Sequence, residues 1–192
     1  MIRPPVVARS FIDGEGLVAV ADALSKLKTL NLGEANRNHD GDASGILAIA
    51  AALKRNTRLT NLNLSANDID VEAAKVLADA LSVNTTLVHL DLSSNRLCGV
   101  WLESGTKRMG THDASGIKTL TRALARNAAL TDLSLRSNVL SVSGAEAVVD
   151  MLDENSILRS CDVRSTDVGE EGKQIVNDAA AKVLKRGVSV LV

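Results

Sequence analysis

The stretch LTNLNLSANDI, residues 59–69, decides how this chain is read. Its leucines at 59, 62 and 64 alternate with Asn61, Asn63 and Ser65, the period of a strand with one buried face, and Asn67 follows where the strand must turn. The same frame returns as LVHLDLSSNRL from Leu87 and LTDLSLRSNVL from Leu130, so three segments share L-x-x-L-x-L-x-x-N-x-L/I without gaps. A looser copy, LKTLNLGEANRN, begins at Leu27. Another, LRSCDVRSTDV from Leu158, has Cys161 in a Leu slot and Thr166 in the Asn slot. PVVARSFID reads as a degenerate opening copy holding Phe11. Val188 and Val190, one more period beyond Cys161 and Val163, place a last strand near the end.

A second motif is locked to the first. ALKRNTRL, ALSVNTTL, ALARNAAL and MLDENSIL each end on the first Leu of a strand copy, at Leu59, Leu87, Leu130 and Leu158. Upstream of them lie GILAIAAAL, AAKVLADAL, GIKTLTRAL and GAEAVVDML, and near the start GLVAVADAL. Apolar residues such as Ile117, Leu120 and Leu124 recur there at the spacing of a helix with one buried stripe. Each period of about 28 residues thus holds one strand and one helix, and no such unit buries its apolar face without neighbours.

This pattern resembles the leucine-rich repeat family, in its ribonuclease-inhibitor-like subclass with full helices, over almost the whole chain. The resemblance implies an α/β fold: a right-handed solenoid or horseshoe with a parallel sheet on its concave face and α-helices on its convex face. One domain is expected over 1–192. Residues 1–26 form a degenerate N-terminal repeat or cap, 27–168 hold the repeats with an insertion near 98–112, and 169–192 supply a closing helix and strand.

Composition agrees. With 22 basic and 23 acidic residues the formal net charge is −1, which argues against a nucleic-acid binder. Phe11 and Trp101 are the sole Phe, Tyr or Trp residues, so the core must be aliphatic. No signal-peptide pattern or membrane-length apolar run occurs, and a cytoplasmic protein without membrane association is expected. Cys98 and Cys161 sit two strands apart, beyond disulfide reach, and are expected as free thiols.

No phosphate loop, nucleophile elbow or H-E-x-x-H pair is present, so no enzyme, cofactor or metal site is expected. His39 and His112 stand beside carboxylates in HDGD and HDAS, but one His per loop is too few for a divalent site. The asparagines at 67, 95 and 138 are assigned to structure, bonding buried backbone as a ladder. Asp42, Ser44, Asp113 and Ser115 are helix N-cap candidates.

The resemblance implies a protein-binding platform. On the concave face the candidates are His89, Asp91, Asp132, Arg136, Asp162 and Arg164, where the two arginines share a slot on neighbouring strands and could meet an acidic partner group, unless Asp132 and Asp162 neutralise them. The span from Leu92 to Leu135 exceeds the period by about half a repeat, and the extra length carries Trp101, Lys107 and Arg108. Trp101 is either a partner anchor or a lid folded back on the solenoid. Val18, Leu47 and Ala50 mark an apolar helix surface, covered by residues 1–12 or 33–42 or else used in a weak homodimer. The ALKRNTRL and ALSVNTTL strings also resemble those of the tropomodulin C-terminal domain, which implies actin regulation as the alternative. The resemblance to Ran GTPase-activating proteins stops short of their acidic C-terminal tail.

Overall fold

A computed structural model describes residues 27–34, 44–103 and 107–192. Among these residues six short strands, β1 (Thr29–Asn31), β2 (Asn61–Asn63), β3 (His89–Asp91), β6 (Asp132–Ser134), β7 (Ser160–Asp162) and β8 (Ser189–Leu191), form one parallel sheet in that order. Between β3 and β6 the chain makes a separate antiparallel hairpin, β4 (Val100–Glu103) and β5 (Lys107–Gly110). The described helices return the chain along the outside: α1 (Ser44–Leu53), α2 (Val71–Val83), α3 (Ser115–Ala125), α4 (Ser141–Glu154) and α5 (Gly169–Leu184). The expected α/β solenoid is therefore the observed fold.

The leucine frame sets the register. Leu30, Leu62, Leu90 and Leu133 stand side by side, then Cys161 and Val190 take the same slot. This corrects the last period, because Val190 pairs with Cys161 in place of Val188. The shift from one valine to the other keeps side-chain parity, so Val188 is still buried and Val190 still packs against the core. The wedge between sheet and helices is filled by aliphatic side chains, among them Leu59, Leu64, Leu77, Leu81, Ile117 and Leu120, all at most 1% exposed.

Two asparagine ladders hold the turns. In the first, Asn67 Nδ2 donates to Leu32 O at 2.9 Å, Asn95 Nδ2 to Leu64 O at 3.0 Å and Asn138 Nδ2 to Leu92 O at 3.0 Å, as the sequence implied. Asn95 Oδ1 also accepts from the amides of Asn67 and Ile69, both at 3.0 Å. Asn138 Oδ1 has no partner among the described residues, because the equivalent segment, 95–97, turns off into the insertion. The residues just before these rungs, Ala66, Ser94, Ser137 and Ser165, all have φ between 53° and 57°, so the turn places a left-handed residue once per repeat.

The second ladder was not anticipated. Asn56, Asn84, Asn127 and Asn155 each cap the following loop through two backbone amides, as when Asn127 Oδ1 accepts from Ala129 at 2.9 Å and Leu130 at 2.8 Å. Each amide group from Asn84 onward then donates backward: Asn84 to Leu53 O and Asn56 O, Asn127 to Leu81 O and Asn84 O, Asn155 to Leu124 O and Asn127 O. Asp70 caps α2 by accepting from the Ala73 amide at 2.9 Å, another cap absent from the sequence expectation. Of the expected caps, Asp113 accepts from the Ser115 amide at 2.8 Å while Ala114 is the backbone N-cap of α3, Ser44 opens α1, and Asp42 lies outside the described residues. No helix among the described residues is long and apolar enough to cross a membrane.

Candidate functional site: the concave sheet

Because strand side chains alternate, the sheet turns two polar rows toward the hollow of the solenoid. The first row runs Thr29, Asn61, His89, Asp132, Ser160, Ser189, and the second Asn31, Asn63, Asp91, Ser134, Asp162, Leu191. All of these but Ser189 line a groove of about 440 Å³.

The second row is held in place by its own backbone. The side-chain oxygen of Asn31 accepts from the amide of Gly33, that of Asn63 from Ser65, Asp91 from Ser93 and Asp162 from Arg164, at 2.8–3.0 Å. These are Asx contacts two residues on, and they fix the rotamer before any ligand arrives. In the first row His89 Nδ1 lies 2.9 Å from Asp132 Oδ2, a cross-strand pair, and Thr131 donates to the same carboxyl oxygen at 2.5 Å. His89 thus pairs with Asp132 on the next strand, while its strand neighbour Asp91 is turned to Ser93.

Arg136 and Arg164 do share a slot, but they do not form a two-arginine platform. Arg164 folds onto Asp162, Nε to Oδ1 at 3.0 Å and Nη2 to Oδ2 at 2.6 Å, and these bonds hold the Asp162 carboxyl below its ordinary 3.8. The sequence had left this neutralisation open. Arg136 is exposed, and its side chain makes no hydrogen bond or ion pair among the described residues.

The insertion's Trp101 is half-buried on β4 opposite Met109, with the Arg96 guanidinium 4.1 Å from its ring centre. Arg96 is in turn bonded to Asp68 at 2.9 Å. A side chain at Gly110 would come within 2.7 Å of the indole, so the glycine gives the ring its seat. This is the arrangement of a ring folded back on the solenoid. Lys107 and Arg108 fall on β5, with side chains outside the described residues.

The apolar helix surface is only partly present. Leu47 is 40% exposed, but Ala50 is fully buried because it follows Ile46 and precedes Leu53 on the inward stripe of α1. The surface expected there therefore loses Ala50, and Val18 lies outside the described residues. His39 lies outside them too, whereas His112 Nε2 is 2.7 Å from Ser141 Oγ. No group of three His, Cys, Asp or Glu side chains that could hold a metal occurs among the described residues. Cys98 and Cys161 are free and buried.

The fold is that of a leucine-rich repeat solenoid, and its full helices and period are consistent with the ribonuclease-inhibitor-like subclass. A family model described as Leucine Rich repeat matches residues 55–78, 83–97 and 126–149. Among solved structures, "Leiomodin-1 Actin-Binding Site 2 (ABS2)" is similar at 18% identity and a TM-score of 0.66, over 91% of each chain. The tropomodulin C-terminal domain of Caenorhabditis elegans is similar at 16% identity and a TM-score of 0.63, over 91% of this chain and 95% of that one. At these identities the likeness is one of fold.

Proposed function

We propose that this chain is a non-enzymatic, intracellular interaction module that binds a protein segment along its concave sheet. The observation that carries the reading is the groove itself, whose second polar row is pre-ordered by Asx contacts and so loses little side-chain freedom on binding. Arg136, uncommitted at the rim, and the His89–Asp132 pair supply charge for orientation. The Trp101 hairpin is a second contact edge. The test is affinity capture followed by titration of the recovered partner. Arg136→Glu and Asp91→Arg abolish its binding if the concave face is the site, whereas loss with Trp101→Ala alone assigns the hairpin and rejects the groove.

A second reading is favoured by one observation, the fold likeness to a structure titled as an actin-binding site of leiomodin-1. On that reading the module regulates actin filaments. A pointed-end elongation assay separates the two, and no effect at micromolar protein removes the second.

A further inference from the structure

The convex side carries a feature that the concave reading does not use. Three helix lysines are paired: Lys75 with Glu72, Lys173 with Glu170, and Lys182 of α5 with Asp153 of α4, each at 2.7 Å. Between α3 and α4 no such pair forms among the described residues. There a groove of about 300 Å³ has Lys118 and Arg122 on one wall and Glu146, Asp150 and Glu154 on the other. All five are exposed, and none makes an ion pair among the described residues. The floor is Thr121, Ala125, Ala147 and Met151, short enough at three of four positions to keep the walls apart.

The repeat puts these walls in register. Glu146 lies one period after Lys118, Asp150 one period after Arg122 and Glu154 one period after Arg126, so each base has an acid at the same height on the next helix. Consecutive helices follow strands of a parallel sheet and therefore run the same way. A two-fold axis laid along the groove, parallel to both helices, would place α3 of one molecule over α4 of the other. Lys118 would then meet Glu146 of the second copy and Arg122 its Asp150, and symmetry would repeat both pairs. The perpendicular in-plane axis would oppose base to base, so the charges select one arrangement.

We infer that the α3–α4 face is a self-complementary surface on which a second copy of this chain docks through these paired charged rows. The dimer is weak and salt-sensitive, since exposed ion pairs hold it. The experiment is sedimentation equilibrium of the intact chain over a wide concentration range. Wild type is expected to dimerise reversibly and to weaken at least about tenfold as salt rises from about 50 to about 500 mM. K118E/R122E and E146K/D150K should each remain monomeric, and an equal mixture of the two should regain the dimer, because their reversed rows complement each other. Thermal melts of each variant alone check folding. A wild-type monomer at every concentration overturns the proposal, as does a dimer indifferent to both variants or a mixture that fails to associate although both components fold.

Discussion

Arg186 Nη1 donates to the carbonyl of Leu152 at 3.1 Å, the place that the Asn155 amide takes on Leu124 one repeat earlier, at 2.7 Å. The same guanidinium also bonds Asn155 O, so it takes the rung of the second ladder that follows Asn155. An array that stacks by backbone carbonyls needs a donor at its last rung, and a guanidinium spans both acceptors at once. Arg186→Ala is expected to cost about 1–2 kcal/mol in urea unfolding, with Arg186→Lys intermediate because an ammonium lacks the planar fork. Lys185→Ala, one residue away and exposed, should change stability by less than about 0.5 kcal/mol.

The last two asparagine rungs of the first ladder should not be equal. Asn95 uses its oxygen twice and its amide on Leu64 and Leu92, whereas Asn138 uses only its amide. Truncation of Asn95 strands two buried amides that truncation of Asn138 does not. Asn95→Ala should therefore cost about 3 kcal/mol and Asn138→Ala roughly 1–2 kcal/mol less, measured by equilibrium denaturation. Equal losses would show that Asn138 Oδ1 has a partner in solution.

Most of this fold was legible because its core positions are type-restricted. Leu30, Leu62, Leu90 and Leu133 align across the sheet as their spacing demanded, and the inward parity of Val188 and Val190 survived an error in their register. What escaped depends on contacts that no period records. The His89–Asp132 pair needs the register across the long insertion, and Arg186 takes the rung after Asn155 with a different side chain, slightly out of step with the repeat. Asn56, Asn84, Asn127 and Asn155 did carry a signal, the same residue in four aligned strings, but those strings marked only the approach to each strand. Ala50 is ambiguous in sequence because alanine fits either face of a helix.

The two thiols set an alkaline limit. Burial pushes Cys98 and Cys161 up to about 12 from 9.0, since a thiolate there would lose its water. Above pH 9 the unfolded chain releases these protons while the folded chain keeps them, so the folded state loses stability as pH rises from about 9 toward 12. Below 9 neither thiol contributes a slope. Cys98→Ala with Cys161→Ala should flatten this alkaline limb in pH-dependent unfolding, although each truncation also leaves a small void. A thiol reagent at pH 8 should label neither cysteine until the protein unfolds.

Trp101 is the one tryptophan of the chain, so its fluorescence reads the hairpin's attachment directly. The ring is covered by Arg96, which Asp68 steers from the preceding repeat at 2.9 Å. Arg96→Ala removes the cation from the ring face and the partner from Asp68, and the indole gains water. The emission should move to longer wavelength, with a loss of about 1 kcal/mol in stability. Arg96→Lys keeps a charge for Asp68 but loses the flat stacking surface, so its spectrum should fall between the two. An unchanged spectrum in Arg96→Ala would mean that Gly110 and the hairpin alone seat the ring, and Arg96 would then act only through Asp68.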